Sequence, residues 1–303
     1  METHVIPGAR FVDPKILARI KDLELLARSV VDGFINGLHR APYFGASIDF
    51  AEHRGYVAGD DIRRVDWKLY ARTDKYYVKQ FEADTNANFC ALVDVSKSMG
   101  FASEGNVSKL EYGKFLAACL AYLSQRQRDR VGIITFDEDV VAHVPPSAKH
   151  FNTLLHTLDR AQPSKPGRLL KMVGNLAEHF KRRSIVALIS DFYENPDELL
   201  DALKPYRFLG NDLVVFHVLD RAEIEFPYRD ASRFQDLESG EEVPVVPEVF
   251  AEQYRKMIRE HIETLTTKFS ESRIDYVQLT TSQPLDHALF TYLSNRERLM
   301  RVR

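Results

Sequence analysis

Short apolar runs alternate with longer segments of helical periodicity through most of this chain. "FCALVDV" (89–95), "VGIITF" (131–136), "VVAHV" (140–144), "SIVALIS" (184–190), "LVVFHVL" (213–219) and "IDYVQL" (274–279) have strand length. Most are continuously apolar, as strands buried on both faces are. Between them, apolar residues recur at helical spacing. From about 108 to 127, Leu116, Cys119, Leu120 and Leu123 line one face, and Gly113, Ala117, Ala118 and Ala121 permit close packing. Further helices are predicted near 149–160, 169–182, 196–206, 248–270 and 284–297. "SRFQDLESGEEVPVV" (232–246) reads as a β-hairpin turning at Ser-Gly. Strands alternating with helices predict an α/β fold, a doubly wound, mostly parallel sheet of Rossmann type covered on both faces.

The first 85 residues differ. Residues 13–38 read as one helix, with Ile16, Leu17, Ile20, Leu23 and Leu26 at helical spacing, Asp13 as N-cap and Pro14 in the first turn. Residues 40–85 are aromatic-rich and charged, with glycines at 45, 55 and 59, and predict irregular strands with one short helix. The expected organisation is an N-terminal helix and extension over 1–85, then an α/β domain over 86–303 with a hairpin insertion near 223–247.

Composition narrows the function classes. The 303 residues are 45% hydrophobic and 28% charged, ordinary for a globular protein, and the formal net charge is −3. Without a basic excess, no nucleic-acid partner is expected. "FLAACLAYL" (115–123) is too short to span a bilayer, and the N-terminus has no apolar core behind a basic start. No membrane segment and a cytoplasmic location are therefore expected. Cys90 and Cys119 lie in apolar surroundings without metal-ligand spacing, as reduced core thiols do.

Chemistry concentrates where strands end. In open parallel sheets, ligands sit beyond the carboxyl ends of the strands. Asp94, Asp191 and Asp220 each follow a predicted strand. A lone acid there is commonly a turn former or a helix cap. Asp94 is different because Ser96 and Ser98 follow it in "DVSKSMG". A loop curled around one point presents oxygens at i, i+2 and i+4 to a hard cation such as Mg2+, which takes oxygen ligands in an octahedron. Asp191 in "ISDF" would add a second carboxylate. One position would stay open for a carboxylate from a partner.

"DVSKSM" with the later "SDF" resembles the metal-ion-dependent adhesion site (MIDAS) of von Willebrand factor A domains. "EHRGYVAGDDIRRVDWKLYARTDKYYVKQFE" (52–82) resembles the hallmark stretch of the bacterial family "domain of unknown function" number 58, and the likeness runs from about residue 15 to 290 in element order. The resemblance implies a von Willebrand factor A-like domain with a MIDAS-like site at Asp94, Ser96, Ser98 and Asp191. It also implies a non-enzymatic role as adaptor or chaperone-like partner of a MoxR-type AAA+ ATPase. Many family members are membrane-anchored; this sequence lacks the apolar segments. An intact adhesion site also uses a threonine after a glycine. The matching place, "PSKPGRLL", has Arg168 after Gly167, and Ser164 is out of register. Two facing carboxylates need a positive partner or a proton. Mg2+ and the Arg168 guanidinium both fit that need, in what is then a degenerate site.

Within the hallmark stretch, Asp60 suits an N-cap and Asp61 the first turn of a helix whose apolar side holds Ile62, Val65, Leu69 and Trp67. The sole tryptophan is expected in the core. Arg54, Tyr56, Gly59, Asp60, Asp61, Arg63, Asp66 and Trp67 are the motif residues expected to brace this segment or to present a surface to a partner. Arg63, Arg64, Lys68, Arg72, Lys75 and Lys79 are interspersed with acids, which reads as mixed-charge surface.

The rival reading is a Mg2+-dependent phosphotransferase or phosphatase with Asp94 as nucleophile. Its general acid would fall two residues on, where Ser96 cannot shuttle protons near neutral pH. No G-x-S-x-G elbow, Walker A sequence or G-x-G-x-x-G occurs. His143 and His217 lie in predicted strands and are expected as core or edge residues.

Overall fold

The structure, a computed structural model, describes residues 13–40, 53–56, 65, 67–79, 87–180, 183–230 and 232–301. The chain divides into two compact units, one built on Gly33–Thr85 and the other on Phe11–Asp32 with Asn86–Arg303. The division differs from a single cut at residue 85, because the start of the N-terminal helical region groups with the sheet.

That region is two helices, α1 (Pro14–Leu17) and α2 (Leu23–Arg40), rather than the one expected. Asp13 caps α1 by accepting the Lys15 N–H at 2.8 Å. Asp22 then accepts the Glu24 and Leu25 N–H groups at 2.8 and 3.1 Å and starts α2. The second cap restarts the backbone ladder while the apolar spacing runs on.

In the smaller unit, β1 (His53–Gly55) pairs antiparallel with β2 (Tyr77–Lys79), and α3 (Trp67–Thr73) lies between them in sequence. Tyr70 stacks on Tyr76 at 4.5 Å. Arg54 is opposite Val78 in the ladder, and the exposed Tyr56 donates its N–H to Tyr76 O at 2.9 Å. Trp67 is 55% exposed and meets Tyr70 edge-on, which corrects its expected place in the core. Gly59, Asp60, Asp61, Arg63 and Asp66 fall outside the described residues.

The larger unit runs β3 (Asn88–Asp94), α4 (Lys109–Arg126), β4 (Arg130–Phe136), β5 (Val140–Ser147), α5 (Phe151–Arg160), α6 (Leu169–Leu176) and β6 (Ser184–Ser190). It continues with α7 (Pro196–Phe208), β7 (Asp212–Leu219), α8 (Arg221–Glu225), β8 (Ser232–Gln235), β9 (Glu242–Val245), α9 (Pro247–Glu271), β10 (Asp275–Thr280) and α10 (Asp286–Arg301). Six strands form one sheet in the order β10-β7-β6-β3-β4-β5. All neighbours are parallel except β5, which runs antiparallel to β4. This is the doubly wound architecture expected from the alternating pattern. The strand order reverses between β3 and β6, so the topological switch point lies there.

Helices α6, α7 and α9 pack on one face through Leu169, Val173, Leu199, Leu203, Leu265 and Phe269. Helix α4 packs against the sheet with α5 and α10 beside it. Its small residues do what the sequence implied: a Cβ on Gly113 would sit 3.3 Å from Ile189 Cγ2. Cys90 and Cys119 are buried free thiols, and burial pushes the Cys90 thiol up to about 12. Strand β5 borders the sheet, carries Pro145 and Pro146, and has two irregularities in its register with β4. The predicted hairpin is β8–β9, with Gly240 in the left-handed region (φ +77°) where its turn needs it. No described helix is long and apolar enough to cross a membrane.

Candidate functional site

Strands β3 and β6 flank the switch point, and their carboxyl ends bring Asp94 and Asp191, both buried, to the same edge of the sheet. Asp94 ends β3 and is 3% exposed. Its Oδ1 accepts the Ser96 N–H at 2.8 Å, which turns the chain into a short 3-10 segment, Ser98–Gly100, anchored by the buried Met99. The turn sets Ser96 Oγ 3.1 Å from Ser98 Oγ. Asp94 Oδ2 accepts the hydroxyl of Ser190, the last residue of β6, at 2.6 Å. Burial, with the charge of Asp191 second, pushes the Asp94 carboxyl up to about 7, against the hydrogen bonds from Ser190 and Ser96.

The cation at Asp191 is Lys109. Its Nζ lies 2.7 Å from Asp191 Oδ2 and 2.6 Å from Glu223 Oε1, with the lysine wholly buried. It also sits 5.1 Å from the centre of the Tyr193 ring. Burial disfavours its charge, but Asp191 and Glu223 outweigh that and hold its pKa above the ordinary lysine value. Lys109 opens α4, behind the Ser108 cap, where a cation opposes the helix dipole. The two carboxylates make the position tenable. The expectation that Arg168 neutralises the acids is corrected accordingly. Arg168 is exposed at the start of α6 and makes no ion pair among the described residues.

After Asp191 the chain is strained. Phe192 is fully buried with φ +46°, a conformation bulky residues rarely adopt, and its carbonyl meets His261 Nε2 at 2.7 Å. Glu194 follows, with Oε2 buried and unpartnered. Burial, then the charges of Asp191, Asp94 and Glu238, pushes its carboxyl up to about 7.

The loop before α6 is hydrogen-bonded to the segment that follows β3. Lys97 N–H donates to Lys165 O at 3.1 Å, and Ser164 N–H to Val95 O at 3.1 Å. The Ser164 hydroxyl is committed to Asp137 at 2.5 Å, consistent with its being out of register. Gly167 lies so near Ser96 that a Cβ there would come within 2.9 Å of Ser96 Cβ. Above both loops sits Glu238 from the tip of the β8–β9 hairpin. Its Oε1 accepts the Ser98 N–H at 2.8 Å, and its Oε2 accepts the Gly167 N–H at 2.6 Å.

Asp94, Ser96 and Ser98 present oxygen donors of the kind a hard cation takes. Burial first, and neighbouring acids after it, raise the carboxyls of Asp94 and Glu194, and Lys109 is the single buried lysine among the described residues. The donor chemistry therefore fits Mg2+. Asp94, Ser96 and Ser98 would hold it, with Asp191 already tied to Lys109. No group of three or more His, Cys, Asp or Glu side chains among the described residues is arranged to hold a metal ion.

Asp220, the third strand-end acid, is a helix cap. It forms a capping box with Glu223, accepting the Ala222 N–H at 2.8 Å, and also accepts from Ser103 and Thr281. Burial opposes its charge, yet these hydrogen bonds outweigh it and hold the carboxyl below its ordinary value. His143 is exposed on β5, and His217 is wholly buried on β7.

The family model described as "Protein of unknown function DUF58" matches residues 52–268. The chain belongs to the DUF58 family. It is 30% identical over 236 residues to the uncharacterized protein Rv1480 of Mycobacterium tuberculosis, covering 75% of this chain and 73% of that protein. A Borreliella burgdorferi uncharacterized protein is 27% identical over 128 residues, 40% of this chain and 37% of its own length. Among solved structures, BatB from Bacteroides thetaiotaomicron aligns with a TM-score of 0.47 at 18% identity, over 70% of this chain and 99% of BatB. A von Willebrand factor type A protein from Catenulispora acidiphila aligns with a TM-score of 0.31 at 13% identity, over 60% of this chain and 42% of that one.

Lys109, Ser190, Glu194 and Glu238 complete this DUF58 site and were not singled out from sequence. Lys109 had a usable signal, a lysine in the first turn of a helix, where the dipole disfavours a cation. Ser190 immediately precedes Asp191 in "ISDF". Glu238 had none, because its partners lie 140 and 71 residues away.

Proposed function

We propose that this DUF58 chain is a non-enzymatic protein-recognition module working in the cytoplasm, an adaptor or chaperone-like partner of a MoxR-type AAA+ ATPase. The observation that carries the reading is the pair of backbone N–H groups, from Ser98 and Gly167, aimed at one carboxylate over the switch point. Such a pair holds a carboxylate in one orientation through two charge-assisted hydrogen bonds. The neighbouring side chains favour recognition over catalysis. A phosphotransferase would need a proton-shuttling acid two residues after Asp94, and Ser96 stands there instead. Where Mg2+ binds at Asp94, Ser96 and Ser98, it supplies positive charge that strengthens the hold on an acidic partner.

The test is a pull-down of the chain with the cognate MoxR-type ATPase, with and without nucleotide. Wild type should be retained, and Ser98→Arg should not, because a long cation over the loop blocks the approach. Equal retention of both would remove the contact from this face; no retention of either, nor of Glu238→Ala, in which the two N–H groups are vacated, would remove the ATPase as partner.

A further inference from the structure

The group that occupies the proposed recognition site is part of the same chain. Glu238 places one carboxylate oxygen on each of two N–H donors that come from separate loops. Hydrogen bonds to an ionised acceptor are about twice as strong as neutral ones. The geometry is bidentate, and Gly167 permits it, since any side chain there would run into Ser96.

The hairpin tip is shaped to deliver this side chain. Asp236 Oδ1 accepts the Glu238 and Ser239 N–H groups at 2.7 and 3.2 Å, and the Gly240 N–H returns to Asp236 O at 2.8 Å. Strand β8 is fixed separately, two residues before Asp236. Phe234 stacks on Phe226 at 5.5 Å and meets Tyr228 edge-on at 4.9 Å. Between Phe234 and the turn the ladder adds only the pair Gln235 and Glu242, and both residues are exposed. A lone two-stranded ribbon is marginally stable in water. Glu238 ties the tip to the two loops, while Phe234 holds the strands in place when the tip is free.

We propose that the β8–β9 hairpin is an internal stopper. Glu238 fills the carboxylate position in cis, and a partner presenting a Glu or Asp on an exposed turn takes the same two N–H donors only when the hairpin lifts. The proposal rests on the recognition reading above and adds the partner's chemistry and the way access is controlled. A tether of this length presents Glu238 at an effective concentration on the order of millimolar, so an external carboxylate of similar intrinsic affinity is excluded until the tip is released.

The experiment uses the full chain and a synthetic peptide of residues 232–246, titrated to about 1 mM while the Ser98 and Gly167 amide resonances are followed. Glu238→Ala should bind the peptide at least about tenfold more tightly than wild type, with saturable shifts at both amides. Asp236→Ala, which keeps the carboxylate but unties the tip, should fall between the two and covers the case in which Glu238→Ala does not fold. The same peptide carrying Glu238→Gln should not bind any of the three. Equal peptide binding by wild type and Glu238→Ala, or no shift at Ser98 and Gly167 in either variant, overturns the stopper. Peptide docking alongside a failed ATPase pull-down would leave the stopper standing without that partner. A positive pull-down with no peptide docking would do the reverse.

Discussion

Lys109 Nζ and Asp191 Oδ2 form an ion pair of 2.7 Å with side-chain exposures of 1% and 7%, and Glu223 shares the same ammonium. Removing one member of a buried pair leaves the other uncompensated, which costs about 3–5 kcal/mol. Lys109→Met should therefore lose about that much in urea unfolding. The triple substitution Lys109→Met, Asp191→Asn, Glu223→Gln should recover part of it, since neutral groups need no cation. A single variant as stable as wild type would show that water already reaches the lysine.

Arg168 has no such role. Arg168→Thr should change stability by no more than about 0.5 kcal/mol, with or without metal, as exposed positions do. Mg2+ at about 100 times its dissociation constant should stabilise wild type by about 2.7 kcal/mol and leave Asp94→Asn unmoved. Thermal unfolding of the three proteins in EDTA and in excess Mg2+ measures both effects. A wild type indifferent to Mg2+ would remove the cation from the site.

Hydrolysis of p-nitrophenyl phosphate should stay at the background rate for wild type and for Asp94→Asn alike. Ser96 occupies the general-acid place and cannot shuttle protons near neutral pH. Turnover that depends on Asp94 would restore the phosphatase reading.

Acid should destabilise the chain through His217. This residue is wholly buried on β7, with Nδ1 2.6 Å from Tyr276 Oη and Nε2 unpartnered. Burial pushes its pKa down to about 3; Asp191 pulls it up, and His261 and Lys109 push it further down. An unfolded histidine titrates near 6.5, so between about 6.5 and about 3 the unfolded chain holds a proton that the folded chain lacks. This contribution is complete above about pH 6.5 and is lost at about 1.4 kcal/mol per unit as the pH falls. His217→Gln should weaken the protein at neutral pH yet lose about 2 kcal/mol less than wild type between about pH 7.5 and about pH 5. Parallel curves for the two proteins would assign the acid sensitivity elsewhere.

Local pattern revealed the sheet. "SIVALIS" is β6 residue for residue, because a continuous apolar run bounded by polar residues has one economical fate in a covered sheet. The pairing of Asp94 with Asp191 was legible for the same reason: both close strands, and alternating strands and helices put strand ends on one edge. The rest depends on long-range contacts that spacing does not encode. Lys109 meets carboxylates 82 and 114 residues away, and Arg168, next to the right loop in sequence, turns to solvent. The helix over 13–38 failed for a local reason, since Asp22 offers a second cap where apolar periodicity is uninterrupted.

The border strand β5 limits how anything can join this sheet. Pro145 and Pro146 have no N–H to donate, and the register irregularities bend the strand away from a straight ladder. A β-strand from another molecule would find an interrupted row of donors along that margin, so neither augmentation by a peptide nor runaway stacking of copies is favoured there. Docking on the β5 side must then proceed through side chains and loops.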